Sequence, residues 1–196
     1  MGHAADTGRK AQILATAAAL LKRAGYRGTT VADIAEEARI SVGSVYLEFS
    51  GKDAIIAELS RECFTHVLRE IDRAVADAES GPRALQVAFE VRTLELHRQS
   101  ASAPFAKELL HCGACSAVAD SARAFARQEL ERVQRILEAG EKAEEFELID
   151  RADVVAGTLL RLLDRLGPTH ESTLTGRSLE REIERAVELL VRSVLA

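Results

Sequence analysis

Between residues 29 and 54, hydroxyl side chains recur where short apolar runs begin. Thr30, Ser41 and Ser50 stand at these places, and Asp33 and Asp53 follow three residues after Thr30 and Ser50. A hydroxyl so placed accepts a hydrogen bond from a backbone N–H in the first turn of a helix, and an acid at the third position returns the bond. Ser41, Gly43 and Ser44 would then line the exposed first turn of a helix. Backbone N–H groups and the positive end of the helix dipole would face outward there, an arrangement that suits a phosphate rather than a reaction. Lys52, at the start of the next run, is placed to meet a phosphate from the far side. One other spacing carries chemistry: Cys112-Gly113-Ala114-Cys115, preceded by His111. It fits a zinc site or a redox dithiol, with His111 as a third ligand and His97, His66 or Cys63 as a fourth. Two cysteines at a helix break are more often small buried hydrophobes, and that plainer reading is preferred.

These residues need short, steeply crossing helices to hold them. A first helix is expected over 9–24, because Ile13, Leu14, Ala17, Leu20 and Leu21 recur at three and four residues and Gly25 follows as a stop. Thr30 caps a second helix that turns Val31, Ile34, Ala35 and Ala38 inward. Arg39-Ile40 makes a tight turn. Ser41 caps a third helix over 42–47, with Val45 and also Val42 facing the core and Gly43, Ser44 and Tyr46 facing out. Phe49 packs back, and Ser50 caps the fourth helix. Two short helices about a tight turn form a helix-turn-helix, whose second helix lies in the major groove of DNA. An ordinary three-helix core is the plainer alternative. Three successive caps with small residues turned outward speak against it.

The rest of the chain reads as longer helices over about 52–79, 82–99, 105–111, 116–139, 151–166 and 179–195. The last is capped by Ser178, and Gly140 ends the helix over 116–139. Only three prolines and no tryptophan occur among 196 residues, and 47% of them are apolar. That composition favours helix throughout and is enough for a sizeable core. No uncharged apolar run is long enough to span a membrane, and the first ten residues lack the apolar centre of a signal peptide. Three cysteines without a signal sequence suggest reduced thiols in a cytoplasm. The net charge is −5. Residues 1–53 are near neutral at +1 and the remainder carries −6, so one subunit gives only a modest phosphate attraction.

Residues 25–35 (Gly-Tyr-Arg-Gly-Thr-Thr-Val-Ala-Asp-Ile-Ala), 41–46 (Ser-Val-Gly-Ser-Val-Tyr) and 49–53 (Phe-Ser-Gly-Lys-Asp) together resemble the N-terminal domain of the tetracycline-repressor (TetR) family. The resemblance covers about residues 9–56. It implies a bacterial transcription regulator, usually a repressor, that binds a palindromic operator as a homodimer and is released by a small ligand. By position it assigns DNA contact to Thr30, Ser41, Val42, Gly43, Ser44, Tyr46 and Lys52. Thr30 and Lys52 would bind phosphate, Tyr46 the backbone or a base edge, and Gly43 would permit close approach. The chain departs from the pattern at Leu47-Glu48, where such proteins often carry His or Tyr. The third helix also has no Lys or Arg. Base reading would then rest on Ser44, Tyr46, Arg39 and DNA shape, and Glu48 would need a cation such as Lys52 beside it.

The expected architecture is all-α: a helix-turn-helix DNA-binding domain over 1–51, joined without a linker to a helical effector-binding and dimerisation domain over 52–196. Phe64, Phe89, Phe105 and Phe125, with Arg92 to orient a ligand, are candidates for an apolar effector cavity. Each aromatic taken alone is more simply core, and Arg92 can equally pair with a nearby glutamate. The stripes Leu159, Leu162, Leu163, Leu166 and Leu179, Ile183, Val187, Leu190, Val191, Val194 suggest a four-helix dimer interface. The expected partners are double-stranded operator DNA, a largely apolar small molecule and a second copy of the chain. A membrane is not among them. No cofactor is expected. No nucleophile with its base, Gly-rich phosphate loop or His-Glu metal motif occurs, so an enzyme is not expected either. The alternative is a regulator that senses metal or thiol redox state through Cys112 and Cys115.

Overall fold

A computed structural model describes residues 3–102, 116–167 and 176–195. Eight α-helices follow in order: α1 (His3–Ala24), α2 (Val31–Glu37), α3 (Val42–Glu48), α4 (Lys52–Ala76), α5 (Gly81–Ser102), α6 (Ser116–Lys142), α7 (Ala152–Leu163) and α8 (Arg177–Arg192). A 3₁₀ turn, Asp164–Leu166, continues α7. No strand occurs among the described residues, so the expected all-α class holds. The short helix expected over 105–111 lies outside the described residues.

The chain forms two compact units. Among the described residues, one contains those up to Phe64 and those between Ser100 and Arg123; the other contains Thr65–Gln99 and those from Ala124 onward. In the first unit, Ile13, Leu14, Ala17 and Leu20 of α1 meet Ile34 and Ala35 of α2, Val45 of α3, Phe49, and Ile55 of α4. These are the apolar positions that the helical spacing selects, and each is buried. Val42 departs from expectation: it is exposed, because α3 has room for only one inward residue, Val45.

In the second unit, α5 contributes Leu85 and Phe89, α6 contributes Val133 and Leu137, and α7 contributes Val155, Leu159 and Leu163. Ile183, Val187 and Val191 of α8 close the core. Two expected helix ends are corrected. Gly140 does not stop α6, which runs on to Lys142. A Cβ at Gly140 would lie 2.3 Å from Phe146 Cδ2, so this glycine is where the helix lets an aromatic ring lie against its backbone. Ser178 does not cap α8. That helix begins at Arg177 after Gly176, which has φ 55° and makes no side-chain cap.

Candidate functional site

The segment from Gly25 to Asp53 lies within the first unit, and its backbone is held at every turn. Gly28 sits so close to the end of α1 that a Cβ there would fall 2.4 Å from the Ala24 carbonyl oxygen. Buried Thr29 donates its hydroxyl to the Gly25 carbonyl. Thr30 caps α2 as expected. Its Oγ1 accepts the Asp33 N–H, and Asp33 in turn accepts from the Thr30 backbone N–H at 2.8 Å. Hydrogen bonds from the Thr30 side chain and backbone hold the Asp33 carboxyl below the usual carboxylate range.

The turn after α2 is a Schellman closure: the Arg39 N–H bonds to the Glu36 carbonyl and the Ile40 N–H to the Ala35 carbonyl. Arg39 occupies the left-handed position of this motif, with φ 55°, where glycine is usual. Gln12 of α1 donates to the Ala38 carbonyl at 2.8 Å, which adds a partner for the frayed end of α2. Ser41 then caps α3 by accepting the Ser44 N–H at 3.0 Å, and the two hydroxyls bond to each other at 2.8 Å.

With Val45 inward, Val42, Gly43, Tyr46 and Leu47 turn to solvent. Val42 is 43% exposed, Tyr46 55% and Leu47 80%. A Cβ placed on Gly43 would meet only Ser41 Oγ, at 3.7 Å. The fold therefore does not itself demand glycine at this position. Glu48 is not paired with Lys52. It faces α1, where Arg9 Nη1 lies 3.3 Å from its carboxylate, and its side chain is only 10% exposed. The carboxylate is thereby drawn off the outer face of α3.

Lys52 is more occupied than its position in the sequence suggests. Its Nζ donates to the carbonyls of Tyr26 and Thr29 at 2.8 and 2.9 Å and lies 4.0 Å from the centre of the Tyr26 ring. Two of its three donors are thus spent on the α1–α2 connection. Asp53, expected to help cap α4, accepts the Tyr26 hydroxyl at 2.8 Å instead. Together Lys52, Tyr26 and Asp53 latch the start of α4 to the loop before α2.

Phe89 and Arg92, two of the expected effector residues, come together in the second unit. They line a void of about 10 Å³ with Ile71, Glu129, Val133 and Leu160. Arg92 is buried and bonds Glu129 at 2.6 Å and Asp164, while its Nη1 has no partner among the described residues. Burial works against the Arg92 charge, but Glu129 and Asp164 more than offset it and keep the guanidinium protonated. Burial also pushes the Glu129 carboxyl up, opposed by Arg92. A larger cleft of about 570 Å³ opens beside it in this unit, past Ile71, Val75, Ala84 and Ile136 and the Asp72–Arg132 pair, and of the expected residues Phe64, Phe89, Arg92 and Phe125 do not line it. Phe125 is buried in the same unit, and Phe64 is half-buried in the first unit. Phe105, His111, Cys112 and Cys115 lie outside the described residues.

Leu47 is the outward residue that sequence reasoning passed over as a mere departure. Its distance of two residues from inward Val45 was the available signal.

Residues 13–59 match the bacterial regulatory proteins of the tetR family. The HTH-type transcriptional repressor KstR2 of Rhodococcus jostii is 42% identical over 55 residues, 28% of this chain and 27% of that protein. The chain thus matches only about a quarter of the length of that relative. A bacterial regulatory protein in the tetR family from Rhodococcus RHA1 superposes with a TM-score of 0.68 at 27% identity, covering 96% of this chain and 98% of that one. FadR of Bacillus subtilis, solved in complex with stearoyl-CoA, shares the fold at a TM-score of 0.75 and 18% identity, covering 92% and 96% of the two chains.

Proposed function

We propose that this chain, whose residues 13–59 match the tetR family of bacterial regulatory proteins, binds a palindromic DNA operator as a homodimer and represses transcription until a small molecule releases it. In this reading residues 1–51 carry the DNA contact and 52–196 the effector and dimer contacts. The observation that carries it is the outer face of α3: a capped, seven-residue helix whose one buried residue is Val45, presented clear of its own acid by the Arg9–Glu48 pair. Thr30, Arg39, Ser41, Val42, Gly43, Ser44 and Tyr46 border the duplex. Lys52 holds the loop and offers its remaining N–H to a phosphate.

Two exposed leucines support the dimer. Most of the leucine and valine stripes of α7 and α8 are consumed by the second unit's own core, but Leu162 is 51% and Leu189 70% exposed. They mark the faces on which a second copy packs. Support for an effector comes from Arg92, which lines the void beside Phe89 and whose buried Nη1 has no hydrogen-bond partner among the described residues. That void holds no more than a water. A ligand seated there must part α5 from α6, so its binding energy favours a second arrangement of the helices. The continuous helix α4, which begins at Lys52, carries that change to the DNA contacts.

Selection of duplexes from a random library by the full-length protein tests the DNA reading. Enrichment of an inverted repeat with half-sites about 34–36 Å apart, one turn of DNA, is the expected result. Failure to enrich any sequence overturns it.

A further inference from the structure

The outer face of α3 has a feature that caps and charges do not account for. At about 100° per residue, Gly43 and Leu47, each two positions from Val45, point almost directly away from the core. The pole of the helix is therefore a residue without a side chain beside an isobutyl group that is 80% exposed. Neither Lys nor Arg occurs in α3, so the bidentate pairing of a cation with guanine is closed to it. The two hydroxyls at its start, Ser41 and Ser44, bond to one another. Glu48 is turned to Arg9. What remains at the pole is apolar, and the one apolar group that a base pair presents in the major groove is the thymine C5-methyl.

We propose that Leu47 is a specificity-determining residue that reads a thymine methyl in each half-site, with Gly43 letting the helix approach closely enough for contact. The inference rests on the DNA-binding reading above. A leucine can hydrogen-bond neither phosphate nor base edge, so its contribution is the burial of a methyl against its own side chain. Burial of one such group is worth about fourfold in affinity, and two half-sites together give roughly fifteenfold. Tyr46 lies to one side of the contact, next to Leu47 in sequence and 55% exposed.

The test uses the full-length protein and a duplex selected by it from the random library. That duplex is synthesised with thymine throughout and again with deoxyuridine at the fixed thymines. Deoxyuridine keeps the pairing and every polar edge and removes only the methyl. The wild-type protein is expected to bind the uracil duplex roughly fifteenfold more weakly. Leu47→Ala is expected to lose most of its affinity for the thymine duplex and to discriminate between the two by less than about twofold, as coupled partners in a double-mutant cycle do. The slope of affinity against salt should not change, because no phosphate contact is lost. Equal binding of both duplexes by the wild type overturns the inference while the DNA-binding reading stands. So does full discrimination by Leu47→Ala, or a Leu47→Ala effect confined to the oligomeric state. If no duplex is enriched at all, both fall together.

Discussion

Gly43 separates what the fold needs from what a partner needs. Space for a methyl exists there within the chain, since only Ser41 Oγ approaches, at 3.7 Å. Gly43→Ala should therefore raise stability, by up to about 1 kcal/mol from helix propensity alone, while it weakens operator binding through loss of close approach. Thermal melts and fluorescence anisotropy on the same preparation separate the two effects. A fall in melting temperature would show instead that α3 itself requires the glycine. Neighbouring residues show how far such roles can be read in advance. Thr30 with Asp33, and Ser41 with Ser44, were legible because a capping hydroxyl and its N–H partner are local in sequence. Arg39 was legible as a turn but not as a left-handed residue, because the usual marker, glycine, is absent. Lys52 was read as a phosphate ligand because its two acceptors are backbone carbonyls, which no residue type announces.

Among the elements, α1 and α4 are joined by charge as well as by apolar packing. Glu58 of α4 accepts from Arg61 on its own helix, and Lys10 of α1 lies 2.6 Å from the same carboxylate. The Arg61 hydrogen bond contributes most, with Lys10 assisting, and the Glu58 pKa falls from 4.5 to about 2. A carboxyl depressed by folding adds stability that is fully present above its unfolded pKa and is lost as pH falls through the folded one. Glu58→Gln should therefore destabilise at pH 7 by about 1 kcal/mol, a value discounted for partial exposure of the pair. The variant and the wild type should converge as pH falls from 4.5 toward 2. Denaturant melts across that window check it, and a constant gap would show that the charge is not what matters. Helix identity was legible from apolar spacing. Several ends were not, since Gly140 is set by the Phe146 ring that lies against it rather than by any need to stop α6.

On the scale of the whole molecule, the stripes on α7 and α8 were too wide to divide between core and interface by sequence alone. Leu159, Leu163, Ile183, Val187 and Val191 are buried within one chain, whereas Leu162 and Leu189 are not. Leu162→Glu combined with Leu189→Glu should leave the helical signal intact and halve the mass in sedimentation. Operator affinity should drop with it, because two linked half-sites are then no longer bound together. A dimer that survives both charges would place the interface elsewhere. In the proposed reading, the uncharged pole of α3 bears on how such an assembly responds to salt. Attraction to phosphate fades as ions accumulate, whereas contact between apolar groups does not depend on them in that way. In that reading a rise in potassium would loosen the protein's hold on all of its proposed DNA sites by a similar factor and leave their ranking unchanged.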